Sequence, residues 1–306
     1  MIRIPEKYNV LLTFSPIEEI TGHWFEVFEY FIFLKSQGFK PFMLFNSIGL
    51  KKEQVIDALT DKYIYQYSDY ESDILIQTEL DTLICAPSCV TVIADGNFDS
   101  LERHNIRIIC KQVLGFGCGV VQQPFGYYKK AIYLLDTRIY DFPGIHYTKK
   151  ILKSSLRMPL ECISNTAMVY STANCRNVSL DALQSILSYG LHDLSTGQNT
   201  KFENYLILSY NQRLKEELVG NNFTVIEPPV KDLFSKFSTY IYTPVPKKFD
   251  CSPRLICECA LFNKDVIYYN IDYDDAGLQI RQKDLQSNSV WLEPGDPICS
   301  IISTYV

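Results

Sequence analysis

One stretch constrains the fold more than any other: "NVLLTF" at residues 9–14, followed by "TGHWFEVFEYFIFLKSQGF" and then "KPFMLFN". The first is a short apolar run closed by Ser15-Pro16, which reads as a buried strand. In the second, Trp24, Val27, Phe28, Phe31, Ile32 and Leu34 fall at roughly helical spacing, and Gly38 is placed to end the helix. The third reads as another buried strand. Strand, helix, glycine and strand make a βαβ unit, and the helix that carries the chain back along the sheet forces the two strands to be parallel.

The alternation runs on. "KKEQVIDALTD" reads as a helix, "YIYQY" as extended chain, and "DTLICAP", "VTVIADG", "IRIICKQVLGFG" and "KAIYLLDTRIYD" as further strands. From Phe142 to about Leu160 the chain is polar, basic and flanked by prolines, which suits a crossover between domains. The same grammar then restarts. "NTAMVYST" is a strand, "SLDALQSILSYGL" a helix opened by Ser179 with Asp181 in its first turn, and "NYLILSY" a strand. "QRLKEELVGNN" reads as a helix, "FTVIEPP" as a strand, "KDLFSKFS" as a helix, "TYIYTPV" as a strand, "PRLICECALF" as a helix and "DVIYYN" as a strand. The expected class is therefore α/β, with two Rossmann-like parallel-sheet domains facing a cleft. The first spans 1–158 and the second 159–285; 286–306 is a tail of mixed character, with a return to the first domain open to it. Ligands of open α/β sheets bind outside the carboxyl ends of the strands.

Composition bounds the function. With 306 residues, 47% hydrophobic and 21% charged, the chain has the balance of a soluble globular protein and the length for two ordinary domains. No apolar run is long enough to predict a membrane span. The opening "MIRIPEKYNVLLTF" carries charges and a proline where a secretory signal needs an apolar core, so a cytoplasmic location is expected. The ten cysteines form no C-x-x-C set at zinc spacing and read as reduced, mostly buried thiols. A net charge of −6 argues against broad nucleic-acid binding. The local exception is "HYTKKILKSSLRMP", where Lys149, Lys150, Lys153 and Arg157 make either a solvated face or an anion site.

The stretch with most chemistry is "KKFDCSPRLICECALFNKDVIYY", residues 247–269. Glu258 sits among the apolar residues of "LICECA", where a lone carboxylate needs a partner. The N–H groups at the start of that helix, around Ser252 to Leu255, lack intrahelical acceptors and carry partial positive charge suited to a sugar or diphosphate. The run resembles the donor-binding domain of retaining nucleotide-sugar glycosyltransferases of the GT-B fold. In that family an acidic residue, a turn, a helix bearing a glutamate and a strand follow one another. Here the order is Asp250, "SPRLICE" with Glu258, and "LFNKDVIYY". The family's first acidic residue is a glutamate rather than Asp250, its turn before the strand has Gly and Pro where Asn263 and Asp265 stand, and its Arg and Lys pair on the diphosphate is matched only by Arg176.

The resemblance implies roles. Glu258 would accept ribose hydroxyls, and Asp250 would bond the transferred sugar as a catalytic residue. Arg254, Ser252 and Leu255 would hold the donor at the helix start. Arg176, with Ser171 and Thr172 beside it and Lys247 and Lys248 as further cations, would take the diphosphate. In the first domain Gly22 would allow close backbone approach, and His23 would donate to the sugar or take the acceptor's proton. No metal is implied. The chain lacks a D-x-D motif, and "DYDD" at 272–275 reads as a solvated loop. No tightly bound cofactor is expected; a UDP- or GDP-linked sugar is the co-substrate.

Each residue also has an ordinary reading: Asp250 as a helix cap, Arg254 as a surface arginine, Arg176 as a loop cation, His23 as a packed or solvated side chain. Arg138 and Tyr140 read as packing residues. The expected function is transfer of a sugar from a nucleoside-diphosphate sugar to an acceptor hydroxyl, metal-independent and retaining. The acceptor stays open among a small molecule, a glycan, a protein and a modified DNA base; the chain resembles virus-encoded transferases, some of which glycosylate hydroxymethylated bases, and the basic run at 149–157 is the one feature that points to DNA, against the overall acidity. The alternatives are a non-catalytic nucleotide-binding protein of the same fold and a sugar-nucleotide epimerase.

Overall fold

A computed structural model describes residues 1–14, 16, 20, 22–79, 83–93, 101, 103–104, 106–116, 131–135, 146–147, 152–159, 163–171, 179–192, 199–243, 254–269 and 292–306. The fold is mixed α/β with parallel sheets. Two compact units divide the chain: Met1–Arg157 together with Ile280–Val306, and Met158–Gln279.

The first unit runs β1 (Ile2–Arg3), β2 (Val10–Thr13), α1 (Gly22–Ser36), β3 (Pro41–Asn46), α2 (Lys52–Lys62), β4 (Ile74–Gln77), β5 (Ile84–Ile93), β6 (Ile108–Phe116), β7 (Ala131–Leu135) and β8 (His146–Tyr147). Among the described residues these strands form one sheet in the order β4-β3-β2-β5-β6-β7-β8, with β1 beside β5 and every pair parallel. From β2 the chain steps outward to β3 and β4, then returns to β5 on the other side of β2. The strand order therefore reverses between β2 and β5, and it is outside the carboxyl ends at such a reversal that open α/β sheets take ligands. One face packs Leu11, Leu44, Ile84 and Val113 against Ile4, Tyr8, Leu101 and Ile106.

Helix α1 packs on the other face and is buried on all sides rather than along one stripe, Tyr30 and Phe33 included. Gly38, at φ +86°, ends the turn that follows it. Even Glu29 is inside. Its two carboxylate oxygens accept hydrogen bonds from the Tyr63 hydroxyl at 2.7 Å and from the Leu152 N–H at 2.7 Å. Residues 152–157 are thereby laid against α1 and α2, and Ile64 donates to the Ser155 carbonyl at 2.9 Å. Arg157, one of the basic residues expected on a solvated face or an anion site, donates to the Thr60 and Tyr63 carbonyls at 3.1 and 3.0 Å and so caps the end of α2. Lys149 and Lys150 lie outside the described residues.

The second unit runs β9 (Thr166–Ser171), α3 (Leu180–Tyr189), the hairpin-like pair β10 (Leu191–His192) and β11 (Asn199–Thr200), β12 (Asn204–Ser209), α4 (Leu214–Glu217), β13 (Phe223–Ile226), β14 (Thr239–Tyr242), α5 (Arg254–Leu261) and β15 (Asp265–Tyr268). Its parallel sheet has the order β13-β12-β9-β14-β15. Here the reversal falls between β9 and β14. Leu183, Ile186, Leu187 and Leu214 cover one face over Val169, Ile207 and Ile241. Because right-handed crossovers in opposite directions put their helices on opposite faces, α5 belongs to the other face, which carries Tyr240, Tyr242 and Tyr268. A final helix, α6 (Pro297–Ser303), is capped by Asp296, whose Oδ1 accepts from Ile298 N–H at 3.0 Å.

Several elements differ from expectation. "YIYQY" is not a strand: Tyr63 forms an isolated bridge, packs its ring 4.9 Å from Phe28, and Tyr67–Asp69 is a single tight turn. The strand that extends the sheet is Ile74–Gln77. "DTLICAP" and "VTVIADG" are one strand, β5, whose register slips between Ala86 and Val90 because Pro87 has no N–H for the ladder. "KDLFSKFS" yields only a tight turn at Leu233–Ser235, entered through Asp232 at φ +50°, and "ICSIISTYV" contains a helix. Among the described residues, no helix is long and apolar enough to cross a membrane.

Candidate functional site

Helix α5 starts at Arg254, and Glu258 lies one turn further on. The Arg254 Nε–H donates to Glu258 Oε1 at 2.6 Å, with side-chain exposures of only 7% and 3%. The partner that an isolated carboxylate required is thus supplied within the helix. The pairing is unusual in its direction. A cation in the first turn opposes the helix dipole, whose positive end lies there, and Glu placed ahead of Arg would be the stabilising order. What this order produces is a buried guanidinium beside the first-turn N–H groups of the helix, with a carboxylate fixing its orientation. Leu255 is the second residue of the same helix, so its backbone N–H belongs to that set.

The other residues expected in the second unit are placed as follows. Ser171 is the last residue of β9, at the carboxyl end of the strand flanking the reversal; its side chain lies outside the described residues. Asp250, Ser252, Arg176, Thr172, Lys247 and Lys248 also lie outside them, as do Arg138 and Tyr140. In the first unit, Gly22 is the first residue of α1 and half-buried, and His23 is the second, with its side chain outside the described residues.

The carboxyl edge of the first sheet carries residues that the sequence reading passed over. Phe14, Trp24 and Phe45 pack their rings together, with centroids 5.9 Å apart for Phe14 and Trp24 and 5.4 Å for Trp24 and Phe45. Asn46 closes β3, and its Nδ2 donates to Thr13 Oγ1 at 2.8 Å and to the Phe14 carbonyl at 2.7 Å. Three buried atoms at this edge have no hydrogen-bond partner: Asn46 Oδ1, Ser47 Oγ and Trp24 Nε1. Each such atom costs about 1–3 kcal/mol. The only trace in the sequence is the polar pair Asn46-Ser47 closing the apolar "KPFMLF".

Burial pushes the Cys89 thiol up to about 11, and it raises Cys110 as well, so both stay protonated and inert at neutral pH. Among the described residues, no group of three or more His, Cys, Asp or Glu side chains could hold a metal ion. Compared with known proteins, the chain matches no family model and no curated sequence. What fold and geometry define is a protein of two parallel-sheet α/β units. Each has a strand-order reversal at which a helix of the unit begins or a polar edge lies.

Proposed function

We propose that the chain is a glycosyltransferase that uses a nucleoside-diphosphate sugar. One observation carries the reading: a buried guanidinium, Arg254, stands at the start of α5 in the order that helix stability disfavours. An anion such as a diphosphate repays that arrangement, because the helix start and the guanidinium then act together on it. Glu258 orients the guanidinium and can also accept ribose hydroxyls. Arg176, Ser171, Ser252 and Leu255 complete the donor set, and Asp250 bonds the transferred sugar. The fold that goes with this reading is GT-B, with the first unit for the acceptor and the second for the donor, in a cytoplasmic protein.

In the reaction, the bond from the sugar's anomeric carbon to the diphosphate breaks, and its electron pair stays on the phosphate oxygen. The acceptor oxygen forms the new bond on the same face. Its proton passes to His23 or to the departing phosphate. No metal enters, since cationic side chains and the helix start carry the leaving charge. Calorimetric titration with UDP- and GDP-sugars, followed by mass spectrometry of products from mixed acceptors, tests this. Donor binding with sugar transfer supports it; no binding of any common donor overturns it.

A second reading has its own support. Arg254 and Glu258 pair inside the fold, as a purely structural pair would in a non-catalytic nucleotide-binding protein. That reading expects donor binding without turnover and no effect of Asp250→Asn. A DNA acceptor would show as binding that weakens steeply with salt.

A further inference from the structure

We infer that the carboxyl edge of the first sheet, around the ends of β2 and β3, binds a neutral, hydroxyl-bearing ligand of the sugar or polyol class through Asn46, Ser47 and Trp24. The orientation of the Asn46 amide is fixed by chemistry. Its Nδ2 faces the Phe14 carbonyl, which can only accept, so Oδ1 is the atom left over, and it can only accept in turn. The Trp24 indole N–H can only donate, and the Ser47 hydroxyl can do both. The three are fully buried, at 0% exposure.

This set selects its ligand. Asn46 Oδ1 demands a donor, which an ionised phosphate oxygen cannot be. Trp24 Nε1 demands an acceptor, which an ammonium group cannot be. A hydroxyl supplies both. Along β3, Phe45 faces Trp24, so Asn46 is turned to the opposite face, toward Thr13, and Ser47 alternates back. Asn46 and Ser47 therefore flank the end of the strand on its two sides, with Trp24 packed against Phe45 on the side of Ser47, so that one molecule with several hydroxyls could reach them from the strand end. The edge lies next to the reversal of strand order between β2 and β5, where open α/β sheets take ligands. Their seclusion from water means that a hydroxyl reaching them meets no competing solvent.

The inference stands on the first unit alone. If the sugar-transfer reading holds, this is where the acceptor docks. The test uses no nucleotide sugar, so its failure and the failure of donor binding are separate results. Of the two tryptophans, Trp24 lies in the site, and a Trp291→Phe protein leaves it as the sole indole reporter. Titration with glucose, mannose, N-acetylglucosamine and myo-inositol is expected to give a saturable change in indole emission with at least one of them, and none with inorganic phosphate. Ser47→Ala is expected to weaken that binding about tenfold while leaving the thermal midpoint unchanged or higher, because it removes an unpaired buried hydroxyl. No response to any neutral probe, a response to phosphate instead, or equal binding by Ser47→Ala overturns the inference. So does a lower midpoint in Ser47→Ala with binding untouched, which would mean that the edge merely encloses water.

Discussion

At the scale of single residues, the Arg254–Glu258 pair decides how any substitution there is read. Both side chains are buried, so deleting either takes a partner from a charge inside the fold, at a cost of about 3–5 kcal/mol. Glu258→Ala is therefore expected to lower the urea midpoint sharply, and loss of donor binding in that variant would say nothing about contact. The double variant Arg254→Met, Glu258→Leu removes both charges and is expected to recover most of the stability. Donor binding that stays lost in the stable double variant, read by calorimetry, supports a direct role; restored binding makes the pair structural. The need of Glu258 for a partner was legible in "LICECA" because a carboxylate among apolar side chains is costly. That Arg254 meets the need from within the helix follows from the helix starting at that residue, which sets both on one face four positions apart. Asn46, Ser47 and Trp24 were not legible as a group, since an unpaired atom is a property of what fails to surround it.

At the scale of elements, the reversal points and caps carry the testable weight. Gly190 ends α3 at φ +79°, and a Cβ there would meet the Thr200 carbonyl oxygen of β11 at 2.5 Å. Gly190→Ala combines backbone strain with a backbone clash and is expected to lower stability by about 1–3 kcal/mol, measured by urea unfolding. At the other end of α1, Lys35 and the Tyr8 hydroxyl both donate to Asp73, just ahead of β4, the tyrosine at 2.7 Å. Burial pushes the Asp73 carboxyl up, but these hydrogen bonds and the Lys35 charge outweigh it and hold it below its ordinary value of 3.8. A carboxyl held low in the folded state stabilises at neutral pH and loses that contribution as pH falls through the folded value. The unfolding midpoint of the native chain is thus expected to fall more steeply below about pH 4 than that of Asp73→Asn. A parallel acid limb in the two proteins would remove Asp73 from the account. The alternation of strand and helix was readable from apolar runs and glycines, because buried parallel strands are short and apolar throughout. The tyrosines of "YIYQY" misled, since Tyr63 packs its ring on Phe28 of α1 and Tyr65 packs its ring on Tyr70, while the same residue type favours strands elsewhere.

At the scale of the whole molecule, each unit owns an apolar core: Leu11, Leu44 and Val113 are in one, and Val169, Ile207 and Ile241 in the other. Scanning calorimetry is expected to resolve two transitions, with a bound UDP-sugar raising one of them and a neutral sugar the other. A single transition that both ligands shift alike would contradict it. The two-sheet plan was legible because its grammar restarts after the basic stretch at 142–160. The composite make-up of the first unit, Met1–Arg157 with Ile280–Val306, was readable only as an open course for the tail. That make-up orders events during synthesis. Glu29 waits 123 residues for the Leu152 N–H that satisfies it, and α6 is made after the whole of the second unit. The inserted unit can therefore close on the nascent chain while the unit that began first still lacks α6.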